Sequence, residues 1–127
     1  MSMRNISYGG YGYKNARDVG CVGEARVCAK LESSGYVVIA RNYRASRYEI
    51  DIVAENEDCV CFVEVKTRSG MVADVVSVVT IPQRRRIMAA AERFCLDNDI
   101  DKPVRFDVAL VPAFAGGGIA YVEDAYE

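Results

Sequence analysis

Asp51, Glu64 and Lys66 are the residues whose types and spacing best fit chemistry in this chain. They lie in two β-rich runs, Tyr48 to Ala54 and Cys59 to Lys66, joined by the polar cluster Glu55-Asn56-Glu57-Asp58, which reads as a hairpin turn. Side chains alternate along a strand, so Glu49 and Asp51 share one face, and Glu64 and Lys66 share one face. Several hairpin registers bring those faces together. One sets Asp51 opposite Glu64, and a slip by two sets Glu49 there instead. Like charges directly opposite repel. Two buried acids coexist if one keeps a proton or a cation neutralises both. Mg²⁺ takes one or two carboxylates, with waters and substrate phosphate completing its oxygen shell. Such an ion polarises a phosphate and acidifies its water, while a nearby lysine orients that water or offsets developing charge. The pattern suits metal-assisted phosphodiester cleavage. Spacing alone equally fits a half-exposed hairpin carrying ordinary Glu–Lys pairs.

The elements that must position these residues follow from periodicity. Asn15 to Ser34 reads as a helix, with Asn15 and Asp18 resembling a capping box and Gly35 as the stop. Its apolar stripe includes Val27, Cys28 and Leu31, and Glu24 falls on that stripe, where an acid is costly unless paired. Tyr36 to Asn42 is a further β-rich run. Cys59 to Val63 is continuously apolar, as in a strand covered on both faces. After a loop beginning near Gly70, Thr80 to Asn98 forms a second helix, with Ile87, Ala90, Ala91, Phe94 and Cys95 at core spacing. Val104 to Val111 makes a fourth strand, and Ile119 to Val122 a short fifth one beyond the Gly116-Gly117-Gly118 loop. The expected order is α-β-β-β-α-β-β: an α/β fold, with a central mixed sheet of about five strands flanked by helices. Residues 1–14, rich in Gly and Tyr, read as a mobile arm, and residues 15–127 as a single domain.

Composition narrows the chemistry. With 127 residues, 51% hydrophobic and 27% charged, the chain has the balance of one globular domain. No apolar run approaches the roughly 20 residues of a membrane span. The five cysteines (Cys21, Cys28, Cys59, Cys61, Cys95) include no Cys-x-x-Cys pair. They read as small buried apolar residues of a reducing, cytoplasmic compartment. There is no histidine, which excludes Ser-His-Asp and Cys-His catalysis and His-ligated zinc. The net charge of −2 gives no global nucleic-acid signal, yet basic residues gather at Arg41, Arg44 and Arg47, and again from Lys66 and Arg68 to Arg84, Arg85, Arg86 and Arg93.

A longer string of motifs carries a resemblance. Gly23-Glu24, Leu31, Gly35-Tyr36, Arg41-Asn42-Tyr43-Arg44 and Glu49-Ile50-Asp51 come in order, followed by Phe62-Val63-Glu64-Val65-Lys66-Thr67-Arg68, Arg105-Phe106-Asp107-Val108 and Ala125-Tyr126. Together they resemble the YraN family of small bacterial proteins, over about residues 16 to 127. That family is similar to the PD-(D/E)XK, or restriction-endonuclease-like, superfamily. The chain also resembles archaeal Holliday-junction resolvases in its helix glutamate, hairpin aspartate and Glu-x-Lys.

The resemblance implies a restriction-endonuclease-like fold and a Mg²⁺- or Mn²⁺-dependent endonuclease acting on DNA, with branched or unusual structures among its candidate substrates. Asp51 and Glu64 would bind the metal, with the Val65 carbonyl as a further ligand and Glu24 approaching directly or through water. Lys66 would serve the nucleophile. Arg41, Arg44, Arg68, Gln83, Arg84 and Arg85 are the expected nucleic-acid contacts. DNA is expected ahead of RNA, no membrane is expected, and a homodimer is left open. In one departure, Gln83 stands where the family usually has a lysine opening the second helix. Thr80-Ile81-Pro82-Gln83 also fits a Thr-x-x-Gln capping box, so Gln83 reads first as a cap. Asp107 beside Arg105 reads as a structural ion pair, and Glu49 either supports the site or partners Arg44 or Arg47. The alternative function is a nuclease-fold module with little or no catalysis that binds nucleic acid or a protein partner.

Overall fold

The structure, a computed structural model, describes residues 16–70, 72–114 and 117–127, with the side chains of 16–21 left aside. The expected arm and the Asn15–Asp18 capping box lie outside what is described.

Five strands form one mixed sheet in the sequential order β1-β2-β3-β4-β5. They are β1 (Val37–Ala45), β2 (Tyr48–Glu55), β3 (Val60–Arg68), β4 (Val104–Pro112) and β5 (Ala120–Tyr126). Neighbours are antiparallel except β3 and β4, which run parallel and are joined by the crossover that contains α2. Helices α1 (Ala16–Ser33) and α2 (Ile81–Asp97) cover the sheet, and a short 3-10 turn, Val76–Val78, precedes α2. The α-β-β-β-α-β-β order is as expected. β5 continues to Tyr126, well past the apolar stretch that ends at Val122, and no local pattern announces the 3-10 turn.

Each helix owns one apolar cluster. Val27, Cys28 and Leu31 of α1 bury against Val38, Ile52, Ala54, Cys61 and Val63. Ile87, Ala90, Ala91 and Phe94 of α2 bury against Ile50, Val53, Val60, Phe62 and Val108. Strand β3 therefore alternates between the two clusters, which is why Val60 to Val63 is apolar at every position. Gly23 brings α1 close to the sheet: a Cβ there would lie 3.2 Å from Thr67 Oγ1 and 3.7 Å from a Val111 methyl. The hairpin turn is held by Asn56, whose Oδ1 accepts from the N–H groups of Asp58 (2.8 Å) and Cys59 (2.9 Å). Cys28 and Cys61 are buried, Cys59 and Cys95 half-buried, and all four are free thiols.

Helix α2 starts where the sequence placed its cap. The Thr80 N–H donates to Gln83 Oε1 (2.9 Å), the Gln83 N–H donates to Thr80 Oγ1 (3.3 Å), and a proline follows in the first turn. Gln83 is thus a helix cap, and its amide oxygen is turned back onto the helix.

Candidate active site

The site forms where the β2–β3 ladder gives out. Pairing runs from Glu55↔Val60 to Ile52↔Val63 and stops. Asp51 and Glu64 are the next residues in line, so the register is the one that sets these acids against each other.

Strict alternation does not hold here, and the reason lies in β1. Asn42 has φ +52°, in the left-handed region that asparagine tolerates better than most side chains. On one side of it, Arg41 pairs across with Ile52 and reaches α1; on the other, Tyr43 pairs with Ile50 and meets Phe94 of α2 edge-on at 5.1 Å. Ile50 and Ile52, two residues apart, likewise belong to opposite clusters. The hairpin turns over at this level, and Asp51 is caught in the turn. Its carboxylate therefore reaches across to the neighbouring strand, where Oδ2 accepts from the Val65 N–H at 2.8 Å. The side chain takes up a main-chain donor at the point where the regular ladder has ended.

Lys66 Nζ lies 3.2 Å from Glu64 Oε2, with both side chains about 15% exposed (16% and 14%). Burial pushes Asp51 up to about 8, and the Glu64 charge adds to the rise. Glu64 is also raised by burial, while Lys66 pulls the other way. Contact between the two carboxyls raises Asp51 further and pulls Glu64 down. Burial and mutual repulsion thus favour a proton on the pair, the outcome expected when two acids meet away from water. A divalent cation is the other way to neutralise it.

Asp51, Glu64 and the Val65 carbonyl are oxygen donors of the kind Mg²⁺ or Mn²⁺ accepts, and one or two carboxylates with waters and phosphate make an ordinary magnesium site. The residues fit such an ion. Glu24, expected to approach the metal directly or through water, has its Oε1 3.2 Å from Arg41 Nη2; among the described residues, no three acids or cysteines are grouped closely enough to hold an ion by themselves. Burial raises the Glu24 carboxyl, and the Asp51 charge raises it further.

The expected nucleic-acid residues divide sharply. Arg41 departs from the expectation: its side chain is 3% exposed and ion-paired to Glu24, so the guanidinium is engaged within the fold. Arg84 is committed as well. Its Nε donates to the Val79 carbonyl (2.9 Å), its Nη2 to the Val76 carbonyl (3.1 Å), and the guanidinium lies 5.1 Å above the Tyr126 ring. Gln83 is the cap described above. Arg44 is exposed and loosely paired to Glu49 (3.5 Å), which settles one of the partners open to Glu49. Arg68 and Arg85 are exposed.

Two features escape a reading of the sequence. The Tyr126 hydroxyl is buried without a hydrogen-bond partner among the described residues, close enough for the Glu64 charge to add to the rise in its pKa. Nothing in the spacing of the chain terminus signals that. Asp107 is legible as an ion-pair partner, but its full set of contacts is not. Arg105 holds it through Nε and Nη2 (2.9 Å each), the Tyr121 hydroxyl donates at 2.6 Å, and the Asp124 N–H at 2.9 Å.

A sequence profile described as "Uncharacterised protein family UPF0102" matches residues 23–111. The chain belongs to this family. Among its relatives, a UPF0102 protein of Parabacteroides distasonis is 40% identical over 111 residues, covering 86% of this chain and 92% of the relative. One from Bacteroides thetaiotaomicron is 37% identical over the same shares. Among solved structures, Archaeoglobus fulgidus Hjc, a Holliday junction resolvase from an archaeal hyperthermophile, superposes with a TM-score of 0.56. It is 19% identical and covers 82% of this chain and 76% of its own. The fold of this UPF0102 protein is that of the resolvase, a restriction-endonuclease-like fold. No helix among the described residues is long and apolar enough to cross a membrane.

Proposed function

We propose that this UPF0102 protein is a Mg²⁺- or Mn²⁺-dependent endonuclease that hydrolyses phosphodiester bonds in DNA. One observation carries the reading: Asp51 and Glu64 are brought together, largely buried, where the β2–β3 ladder ends, with Lys66 3.2 Å from Glu64. A purely structural sheet gains nothing from two opposed acids, whereas a divalent ion needs them. Asp51, Glu64 and the Val65 carbonyl would hold the ion, which when bound supplies Lewis acidity to the phosphate and a more acidic water. The chain does the rest. The Val65 N–H fixes Asp51 Oδ2, so the carboxylate is held in place for an ion it would help to ligate. Glu64 holds the Lys66 ammonium beside the reacting centre, where it offsets charge as the transition state forms. Arg41, 3.2 Å from Glu24, would hold that carboxyl in place.

A second reading, a module that binds without cutting, is favoured by Gln83, whose cap leaves no lysine at the start of α2. Cleavage decides between them. The substrates are linear duplex, single-stranded, flap and four-way-junction DNA, the last because the structural neighbour is a junction resolvase. Parent protein with Mn²⁺ should cut at least one. Lys66→Ala should lose activity by on the order of a hundred- to a thousandfold, with DNA affinity nearly unchanged. Glu64→Gln should be equally inactive. A parent that binds DNA and cuts none of these forms establishes the second reading.

A further inference from the structure

Beyond the carboxylates the same sheet face continues into a groove of about 360 Å³, lined among others by Arg68, Gly70, Leu110, Pro112, Phe114 and Ala120. Its position follows from register. Glu64, Lys66 and Arg68 alternate onto one face of β3, and the parallel pairing sets Leu110 beside Lys66 and Pro112 beside Arg68. Ala120 pairs with Leu110 from β5. At about 3.3 Å per residue, Arg68 lies roughly 7 Å along the strand from Lys66.

Phe114 belongs to this groove and is 61% exposed, although a phenylalanine normally buries its ring. The described residues around it, Ala113 and Gly117, are tied down. The Ala113 N–H donates to the Arg68 carbonyl (2.9 Å), and Arg26 Nη2 donates to the Gly117 carbonyl (2.6 Å). Gly117 packs so tightly that a Cβ there would come within 2.5 Å of Pro112 Cγ and 3.2 Å of the Phe114 ring. An exposed ring beside tied-down residues, next to an exposed arginine with no acidic partner among the described residues, is a surface able to receive a ligand. Flat apolar area beside a single positive charge matches a nucleobase and its phosphate. Any base has a π-face to offer an aromatic side chain.

We propose that the Phe114–Arg68 groove is a subsite for an unpaired nucleotide adjoining the phosphate at Asp51 and Glu64, so that the substrate carries single-stranded or unstacked DNA at the cut. The inference rests on the nuclease reading and gives its substrate class. A base inside a duplex has both faces covered by its neighbours, so only a nucleotide out of the stack can lie on Phe114.

The test uses the absence of tryptophan from this chain. Phe114→Trp supplies a lone indole reporter at the groove, and Phe114→Ala removes the platform. Both replace an exposed ring, and melting curves like the parent's verify folding. Metal-free binding is measured with an oligo-dT strand and with a blunt duplex. A base on the ring should quench the indole emission of Phe114→Trp with oligo-dT and leave it unchanged with duplex. Phe114→Ala should weaken oligo-dT binding roughly five- to a hundredfold, with duplex affinity within about twofold. Parent binding with no quenching and no loss in Phe114→Ala overturns the subsite and leaves the nuclease reading standing. Equal quenching by duplex also overturns it. An emission that shifts with protein concentration alone overturns it too, and assigns the groove to a second copy of the chain. If the parent binds no DNA of either form, the nucleic-acid reading and the subsite fail together.

Discussion

Two carboxylate centres lie on neighbouring strands of one sheet, and they are built on opposite terms. Asp107 on β4 is 0% exposed and has every demand met: a two-pronged arginine, a tyrosine hydroxyl and a backbone N–H. Arg105 in turn reaches the Tyr36 hydroxyl (2.9 Å) and lies over the Tyr36 ring, so the cluster ties β4 to β5 and to the segment entering β1. Asp51 and Glu64 have a backbone N–H, a lysine and each other. One centre is electrically closed. The other carries a surplus of negative charge that only a proton or a cation removes. Burial alone does not mark an active acid; what marks it is burial with the wrong neighbours.

The comparison predicts opposite responses to the same chemical change. Asp107→Asn removes the charge that Arg105 was placed to meet, and loss of one member of a buried pair costs about 3–5 kcal/mol. Asp51→Asn keeps an oxygen for the Val65 N–H and removes the repulsion, so without metal it should melt at or above the parent's temperature. Urea unfolding of both variants in chelator measures this, and equal destabilisation would erase the distinction between the centres. Metal sharpens it. At a hundredfold excess over Kd, Mn²⁺ should stabilise the parent by roughly 2.7 kcal/mol. It should do the same for an Asp124→Ala control, with little effect on Asp51→Asn, as read by thermal melting.

Acidity gives a smaller effect. Asp51 is raised from 3.8 to about 8, so the folded chain keeps a proton that the unfolded chain has released. Its contribution to stability is present below about pH 4 and is lost as pH climbs towards 8. The metal-free parent should therefore lose melting temperature between about pH 5 and pH 8 relative to Asp51→Asn, and saturating Mn²⁺ should flatten the slope. The smallest effect is at the surface. Arg85→Glu should lower the salt dependence of DNA binding by roughly one counterion, with the fold untouched. Arg84→Glu would instead release Val76 and Val79, so its effect on binding is inseparable from its effect on the 3-10 turn.

The elements were legible in the sequence because their periods were clean. Val27, Cys28 and Leu31 marked a helix stripe, Cys59 to Val63 a strand covered twice, and Thr80 with Gln83 a cap that reads directly as two hydrogen bonds. The meeting of Asp51 with Glu64 was legible as one register among several. What chose the register, and what aimed Asp51 along the sheet, was not. The left-handed turn at Asn42 reverses two strands at once, and its cause is the pairing of whole strands, not a local pattern. The arginines were legible as charge only. Whether a guanidinium faces water or a buried glutamate depends on which helix packs above it, so Arg41 and Arg68 look alike in sequence and serve opposite ends in the fold.

The sequential strand order also bears on how the molecule comes into being. β1, β2 and β3 form a meander closed by short turns, while β4 joins only after the chain has travelled out through α2 and back. Short loops close within tens of nanoseconds, and contacts between near neighbours need no long search. Asp51, Glu64 and Lys66 all belong to that meander, so the acids come face to face early in folding, before β4 and its crossover helix wall them in. Water screens their repulsion at that stage, and it grows only as β4 and α2 cover the pair, so alkaline, metal-free conditions should slow that last docking step.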